Sequence, residues 1–169
     1  MQRVLVIGPC GAGKSTLASE LSVRIGLPLF HMDQLNWKSG WVESSTEEIR
    51  QKLTSITAAD RWIIDGTYGG TLIDRLPRAD QVIYLDYPIS LCVCRLLNRI
   101  WTYRGRTRPD MTDGCLERFD LAFLFYLIRW NSGPRVRLEQ RISGHEHKII
   151  RLQSPAELQR WMDSLPNVA

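Results

Sequence analysis

The chain has 169 residues, 44% apolar and 24% charged, with a net charge of +4 and arginine far outnumbering lysine. That size suits one domain over residues 1–169 with a single core. The composition is ordinary for a globular protein, without repeat, low-complexity segment or interdomain linker. Cys10, Cys92, Cys94 and Cys115 lack a C-x-x-C or accompanying histidine pattern, which argues against a zinc site or a disulfide framework.

Arg3 to Ile7 has strand character and begins within a few residues of Met1, so no signal peptide is expected. No apolar run approaches the length of a bilayer span, and the expectation is a cytoplasmic protein without membrane contact. Directly after the strand comes Gly8-Pro9-Cys10-Gly11-Ala12-Gly13-Lys14-Ser15-Thr16, which fits G-x-x-x-x-G-K-[ST] at every fixed position. A helical stretch, Lys14 to Ile25, follows and stops at Gly26. In this strand–loop–helix setting Gly8, Gly11, Ala12 and Gly13 let backbone N–H groups curl inward around a phosphate chain. Lys14 would reach the β- and γ-phosphates, and the Ser15 hydroxyl, beside Thr16, would contribute to a Mg²⁺ shell. The cofactors expected are therefore ATP and Mg²⁺.

Leu29 to Met32 is expected as the second strand, ending on Asp33. His31 is expected to be a strand histidine facing a neighbour. Trp37, Gly40 and Trp41 mark a loop; the two tryptophans suit an acceptor pocket or simple loop packing equally well. Ser45-Thr46-Glu47-Glu48 has the form of a capping box, followed by Ile49, Leu53 and Ile56 at helical spacing. Trp62 to Ile64 is a strand ending on Asp65-Gly66, and Val82 to Leu85 another ending on Asp86. Pro88 opens a helix that carries Arg95 and Arg99 on one face.

Arg104-Gly105-Arg106-Thr107-Arg108-Pro109-Asp110 is basic, broken by glycine and proline, and too polar for a core. Leu116 to Trp130 is expected as an apolar helix packed over the body. A further helix should run from Ser132-Gly133-Pro134 to Ile142, followed by a strand from Lys148 to Leu152. Ser154-Pro155-Ala156-Glu157 then caps the final helix.

Short apolar strands alternating with helices specify an α/β doubly wound parallel sheet, whose functional groups gather at the strands' C-terminal ends. Asp33 and Asp65 are candidates for orienting an acceptor hydroxyl and holding the metal. Asp86, at a helix entrance, suits capping. Arg95 and Arg99 suit phosphate or nucleobase contact. Arg104, Arg106 and Arg108 suit a mobile loop closing over a substrate, with a solvated or nucleic-acid-binding face as the alternative. Arg135, Arg137 and Arg141 suit a solvated helix face from which one could reach phosphates.

The whole constellation resembles the adenylate-kinase-like branch of P-loop kinases. Within it the chain resembles small bacterial proteins labelled FlaR-related or "DNA topology modulation" proteins. The stretches that carry this are Gly8 to Thr16, Leu27 to Asp33, Lys38 to Trp41, Trp62 to Thr71 and Arg108 to Met111. The resemblance implies a P-loop NTPase fold with a five-stranded parallel sheet of order 2-3-1-4-5. It implies an acceptor-binding segment at about 34–60 and a lid at about 101–115, both marked by the position of these motifs. It implies that Arg95 lies against the nucleotide, that Ser154 stands at the adenine pocket and that Asp65 lies near the metal.

The resemblance also has departures. Gly69 stands where nucleoside monophosphate kinases carry a phosphate-binding arginine, and Arg75 or Arg78 are the nearest substitutes. Asp33 is closer to shikimate- and gluconate-type kinases, where a carboxylate holds an acceptor hydroxyl. The expected function is an ATP- and Mg²⁺-dependent phosphotransferase for a nucleotide or small hydroxyl-bearing metabolite. Lys14, Asp33, Arg99 and Arg106 are its expected catalytic residues. The alternative is a nucleotide-binding regulatory or nucleic-acid-associated protein, although no recognition-helix or aromatic RNA-binding pattern is present.

Overall fold

The computed structural model describes residues 1–166. In chain order the elements are β1 (Arg3–Ile7), α1 (Lys14–Ile25), β2 (Leu29–His31), α2 (Met32–Asn36), β3 (Trp37–Lys38), β4 (Val42–Glu43) and α3 (Thr46–Ala58). They continue with β5 (Trp62–Asp65), α4 (Gly69–Arg75), β6 (Gln81–Leu85), α5 (Ile89–Thr102) and α6 (Leu121–Ile128). The last are α7 (Pro134–Ile142), β7 (Ile149–Leu152) and α8 (Pro155–Ser164). Five strands form one parallel sheet in the order β2-β5-β1-β6-β7. Counting only the strands of this sheet, that is 2-3-1-4-5. The chain numbering differs because β3 and β4 form a separate antiparallel ribbon where the sequence pattern suggested a loop.

Alternation along β1 builds both halves of the core. Val4 and Val6 pack with Leu17 and Leu21 of α1 and Leu96 of α5. Leu5 and Ile7 face the other way, into a cluster with Leu53 of α3, Leu72 of α4 and Leu138 of α7. Successive strand side chains point to opposite faces, so helices on both sides are needed to cover them. Within α3, Ser45 and Glu48 form the complete capping box, each side chain accepting from the other's backbone N–H.

Three expectations need correction. The second strand ends at His31, and Met32 starts α2, so Asp33 lies in a helical first turn instead of at a strand end. The stretch 116–130 does not form one buried helix: α6 has eight residues, and Leu121, Phe125 and Ile128 are exposed. High apolar content gives an amphipathic pattern no way to choose an inner face. Lys148 precedes β7 and is buried, its ammonium donating to the carbonyls of Leu76 and Ala79. Among the described residues no helix is long and apolar enough to cross a membrane.

The loop after β1 fits only because two of its residues lack side chains. Gly8 has φ +142° and Gly11 φ +75°, and a Cβ at either would collide with the backbone carbonyl of Leu85 or Cys92. Gly105 also has positive φ, at +70°, but faces open space. Gly11→Ala should therefore lower stability by about 3 kcal/mol, against about 1 kcal/mol for Gly105→Ala. Urea midpoints at unchanged slope measure the difference. Equal losses would show that the close approach to Cys92 is not the constraint.

Candidate active site

The P-loop lies at the C-terminal end of β1, with α1 beginning at Lys14 behind it. Its curl is fixed from three sides. Thr67 bonds Gly8 reciprocally: its hydroxyl donates to Gly8 O at 2.6 Å and accepts from Gly8 N at 3.0 Å. Arg95 donates to Ala12 O at 3.1 Å while its guanidinium stacks over the Tyr87 ring. Lys14 Nζ donates to Pro9 O at 2.9 Å. Gly13 takes a left-handed conformation, and Thr16 is exposed on the first turn of α1. Helix α1 thus points its N-terminal N–H groups and partial positive charge at the loop.

Asp65, the last residue of β5, joins this loop to the neighbouring strand. The Ser15 hydroxyl donates to its Oδ2 at 2.7 Å, and His31 Nδ1 lies 2.6 Å from its Oδ1. The two expected metal residues are therefore in contact. His31 is the surprise: it faces a neighbour, as expected of a strand histidine, but the neighbour is this carboxylate. The contact follows from register, because His31 and Asp65 are partners across the parallel β2–β5 ladder. Burial works to lower the His31 pKa, but the hydrogen bond and charge of Asp65, with Asp110 and Asp33, hold it above the ordinary 6.5.

Asp33, two residues beyond His31, has its own donors. Tyr68 donates its hydroxyl to Oδ1 at 2.7 Å, and an Arg108 nitrogen lies 3.5 Å from Oδ2. Burial and the charge of Asp33 push the Tyr68 hydroxyl far above its ordinary pKa, keeping it a donor. Among the described residues Tyr68 is also one of two non-glycine residues with positive φ, at 30°. Backbone strain of this kind persists only where the surroundings over-determine it.

Arg108 is not on a solvated loop face. It is buried, 2.8 Å from Asp110 and 2.7 Å from Glu117, whose other oxygen accepts from Arg99 at 3.2 Å. Arg99 also places a guanidinium nitrogen 3.7 Å from the Cys10 sulfur in the P-loop. This chain of contacts ties the P-loop, the loop after α5 and the carboxylate on α2 together. Arg106, expected beside them, is exposed, and its side chain enters no hydrogen bond or ion pair among the described residues. The same loop docks on the β3–β4 ribbon: Thr112 donates to Trp37 O, and Trp41 Nε1 donates to Leu116 O. Trp37 and Trp41 meet edge to face, with Arg118 over Trp41.

Other expected residues have different partners. Asp86 is no helix cap; Pro88 stands at that position, and Asp86 accepts from Arg135 and Arg151. Ser154 caps α8, its hydroxyl accepting from Glu157 N. Neither nearby arginine replaces the one missing at Gly69. Arg75 is wholly buried, donating to the carbonyls of Gly66, Thr67 and Tyr68, and burial pulls its pKa down to about 10. Arg78 donates to Thr57 O on α3. The residue that reaches Gly69 is Arg141 of α7, whose guanidinium passes so close that a Cβ would strike it. Together Arg137, Arg141, Thr67, Gly69, Tyr126 and Trp130 line a cavity of about 150 Å³.

Comparison with known proteins agrees with this fold. Solved structures of shikimate kinases superimpose on nearly the whole chain. The one from Bacteroides thetaiotaomicron gives a TM-score of 0.56 at 16% identity, covering 96% of this chain and 97% of that one. A complex of the Acinetobacter baumannii shikimate kinase with shikimate also gives 0.56 at 16%, over 96% and 90%. The chain has the P-loop NTPase fold. Residues 4–65 match the ATPase family associated with various cellular activities (AAA). In sequence the chain is 29% identical to the shikimate kinase of Colwellia psychrerythraea, over 64% of this chain and 68% of that protein. It is 28% identical to the adenylate kinase of Kocuria rhizophila, over 72% of this chain and 79% of that protein.

The His31–Asp65 contact gives the folded protein a pH signature. Because the folded pKa is raised, its stabilisation is fully present below 6.5, imidazole's ordinary value, and is lost as pH rises through the folded pKa. Thermal melts from acid to mildly alkaline pH should show this component in the wild type and lack it in His31→Asn. The same pH dependence in both proteins would contradict the assignment.

Proposed function

We propose that the chain is a kinase that transfers a phosphoryl group from Mg²⁺·ATP to the hydroxyl of a small, anionic acceptor. One observation carries this: two carboxylates occupy separate, individually hydrogen-bonded positions, Asp65 against Ser15 of the P-loop helix and Asp33, two residues beyond Asp65's partner His31, against Tyr68. The relatives named shikimate kinase and adenylate kinase support a small-molecule phosphotransferase. Membership of the FlaR-related subgroup, a single domain with its acceptor segment at about 34–60 and its lid at about 101–115 are parts of the same proposal.

The donor set at the loop fits Mg²⁺. Ser15 and Asp65 offer a hydroxyl and a carboxylate 2.7 Å apart, hard oxygens that leave further positions for phosphates and water. When bound, the metal supplies charge neutralisation and orientation for the β- and γ-phosphates. Backbone N–H groups from Gly11 to Thr16, with Lys14, hold the phosphates. Arg95 braces the loop from Ala12 O, and Ser154 borders the base. Asp33 accepts the hydrogen bond of the acceptor hydroxyl and takes its proton as the new O–P bond forms and the β–γ bridging bond breaks. Arg99, already beside Cys10, stabilises charge on the transferring group, and Arg106 is an exposed loop arginine available to close over it. Arg137 and Arg141 hold the acceptor's anionic group in the cavity beside Thr67, which connects it to the P-loop.

A nucleic-acid-binding reading draws less support. Of the three loop arginines, Arg108 is buried in ion pairs, which removes it from any phosphate-tracking face.

A panel of hydroxylated carboxylates, shikimate among them, and nucleoside monophosphates should contain compounds that stimulate ATP consumption. Asp33→Asn should lower that stimulated rate at least about 100-fold while leaving nucleotide affinity unchanged. Lys14→Ala should reduce both. A full rate in Asp33→Asn would remove the acceptor role from this carboxylate. Arg141→Met should raise the acceptor KM about 10-fold or more at little cost in nucleotide affinity. An unchanged KM would move the anion site elsewhere.

A further inference from the structure

We infer that His31 is a positioning residue for the metal carboxylate, resting on the reading of the P-loop mouth as a Mg²⁺·nucleotide site. Asp65 has two oxygens and two side-chain donors: Ser15 takes Oδ2 at 2.7 Å and His31 Nδ1 meets Oδ1 at 2.6 Å. Ser15 is on the P-loop helix and His31 on the edge strand β2, so the carboxylate is gripped from two elements. Two donors on different oxygens fix the carboxylate plane; one alone leaves it free to rotate. Ser15 is itself a candidate for the metal shell, so its grip on Asp65 is the one a cation would share. The grip that remains is His31.

Three features suit His31 to that task. Its backbone is locked by the parallel register that makes it the direct strand partner of Asp65. Its side chain is largely buried, so its ring is held by packing. It also precedes Asp33 by two residues, at the point where β2 becomes α2, and so stands where the chain passes from one carboxylate to the other. Asp33 is taken by Tyr68 and Arg108. With His31 in place, Asp65 faces the P-loop and Asp33 faces the acceptor. Outer-shell donors of this kind commonly change metal affinity 10- to 100-fold without touching the ion.

The test uses the full chain, a non-hydrolysable ATP analogue and Mn²⁺ as a spectroscopic probe for Mg²⁺. Binding of Mn²⁺ to the analogue complex is followed by electron paramagnetic resonance, and binding of the metal-free analogue by calorimetry. His31→Phe keeps a ring but loses the donor, and should weaken Mn²⁺ about 10-fold with metal-free analogue affinity unchanged. His31→Asn returns an N–H donor near the Nδ1 position and should restore affinity to within about 3-fold of the wild type. His31→Ala replaces the Phe variant if the larger apolar ring disturbs the β2–β5 pairing. Unchanged Mn²⁺ affinity in the donorless variant would overturn the inference. So would an equal loss of metal-free analogue binding, which marks general disruption of the site. A wild type whose analogue complex binds no Mn²⁺ would overturn the magnesium reading itself, and the inference with it.

Discussion

The carboxylate of Asp65 is the junction on which the rest of the site depends. It ends the strand between β1 and β2, and through its two oxygens it joins the P-loop helix to the edge strand. Neither contact requires a long or flexible side chain. The parallel register brings His31 alongside, and the first turn of α1, directly after the P-loop glycines, brings Ser15 to the other oxygen. A buried carboxylate is costly unless donors surround it, so these contacts also keep the strand end from being a liability. Structural need and the proposed chemistry therefore coincide at one residue.

A second set of charges extends outward from this junction. Asp33, Asp110 and Glu117 are interleaved with Arg108 and Arg99, and the last of these touches the P-loop cysteine. Through Arg108 the loop after α5 is fastened to the carboxylate on α2, and through Thr112 and Trp41 it is fastened to the ribbon. The segments proposed to hold the acceptor and to cover the nucleotide are thus physically linked. In a low-dielectric setting, breaking one partner of such a network leaves the others uncompensated, which makes coordinated rearrangement more favourable than piecemeal opening.

Much of this was legible in the sequence because it is written locally. The P-loop, its preceding strand, its helix and the capping box of α3 depend on neighbours within a few residues. The short apolar strands alternating with helices announced a sheet covered on both faces. What stayed hidden was set by distant partners. His31 and Asp65 lie 34 positions apart, and only strand register brings them together. Arg108 looked too polar for a core because Glu117 and Asp33 could not be placed beside it. The misplaced end of the second strand has a different cause: Leu29 to Met32 gives no turn signal, so nothing marks where extension ends. In α6 the uniform apolarity that suggested burial carried no information about which face points inward.

The central claim is spatial, and a crystal structure with Mg²⁺ and a non-hydrolysable ATP analogue tests it most directly. The β- and γ-phosphates should lie within the loop from Gly8 to Thr16, against Lys14. The metal should sit on the Ser15 hydroxyl, with Asp65 bound to it directly or through one water. Asp33 should remain off the metal, on the acceptor side of the γ-phosphate. A metal held by Asp33 instead of Asp65, or a nucleotide seated outside the loop, would contradict the account.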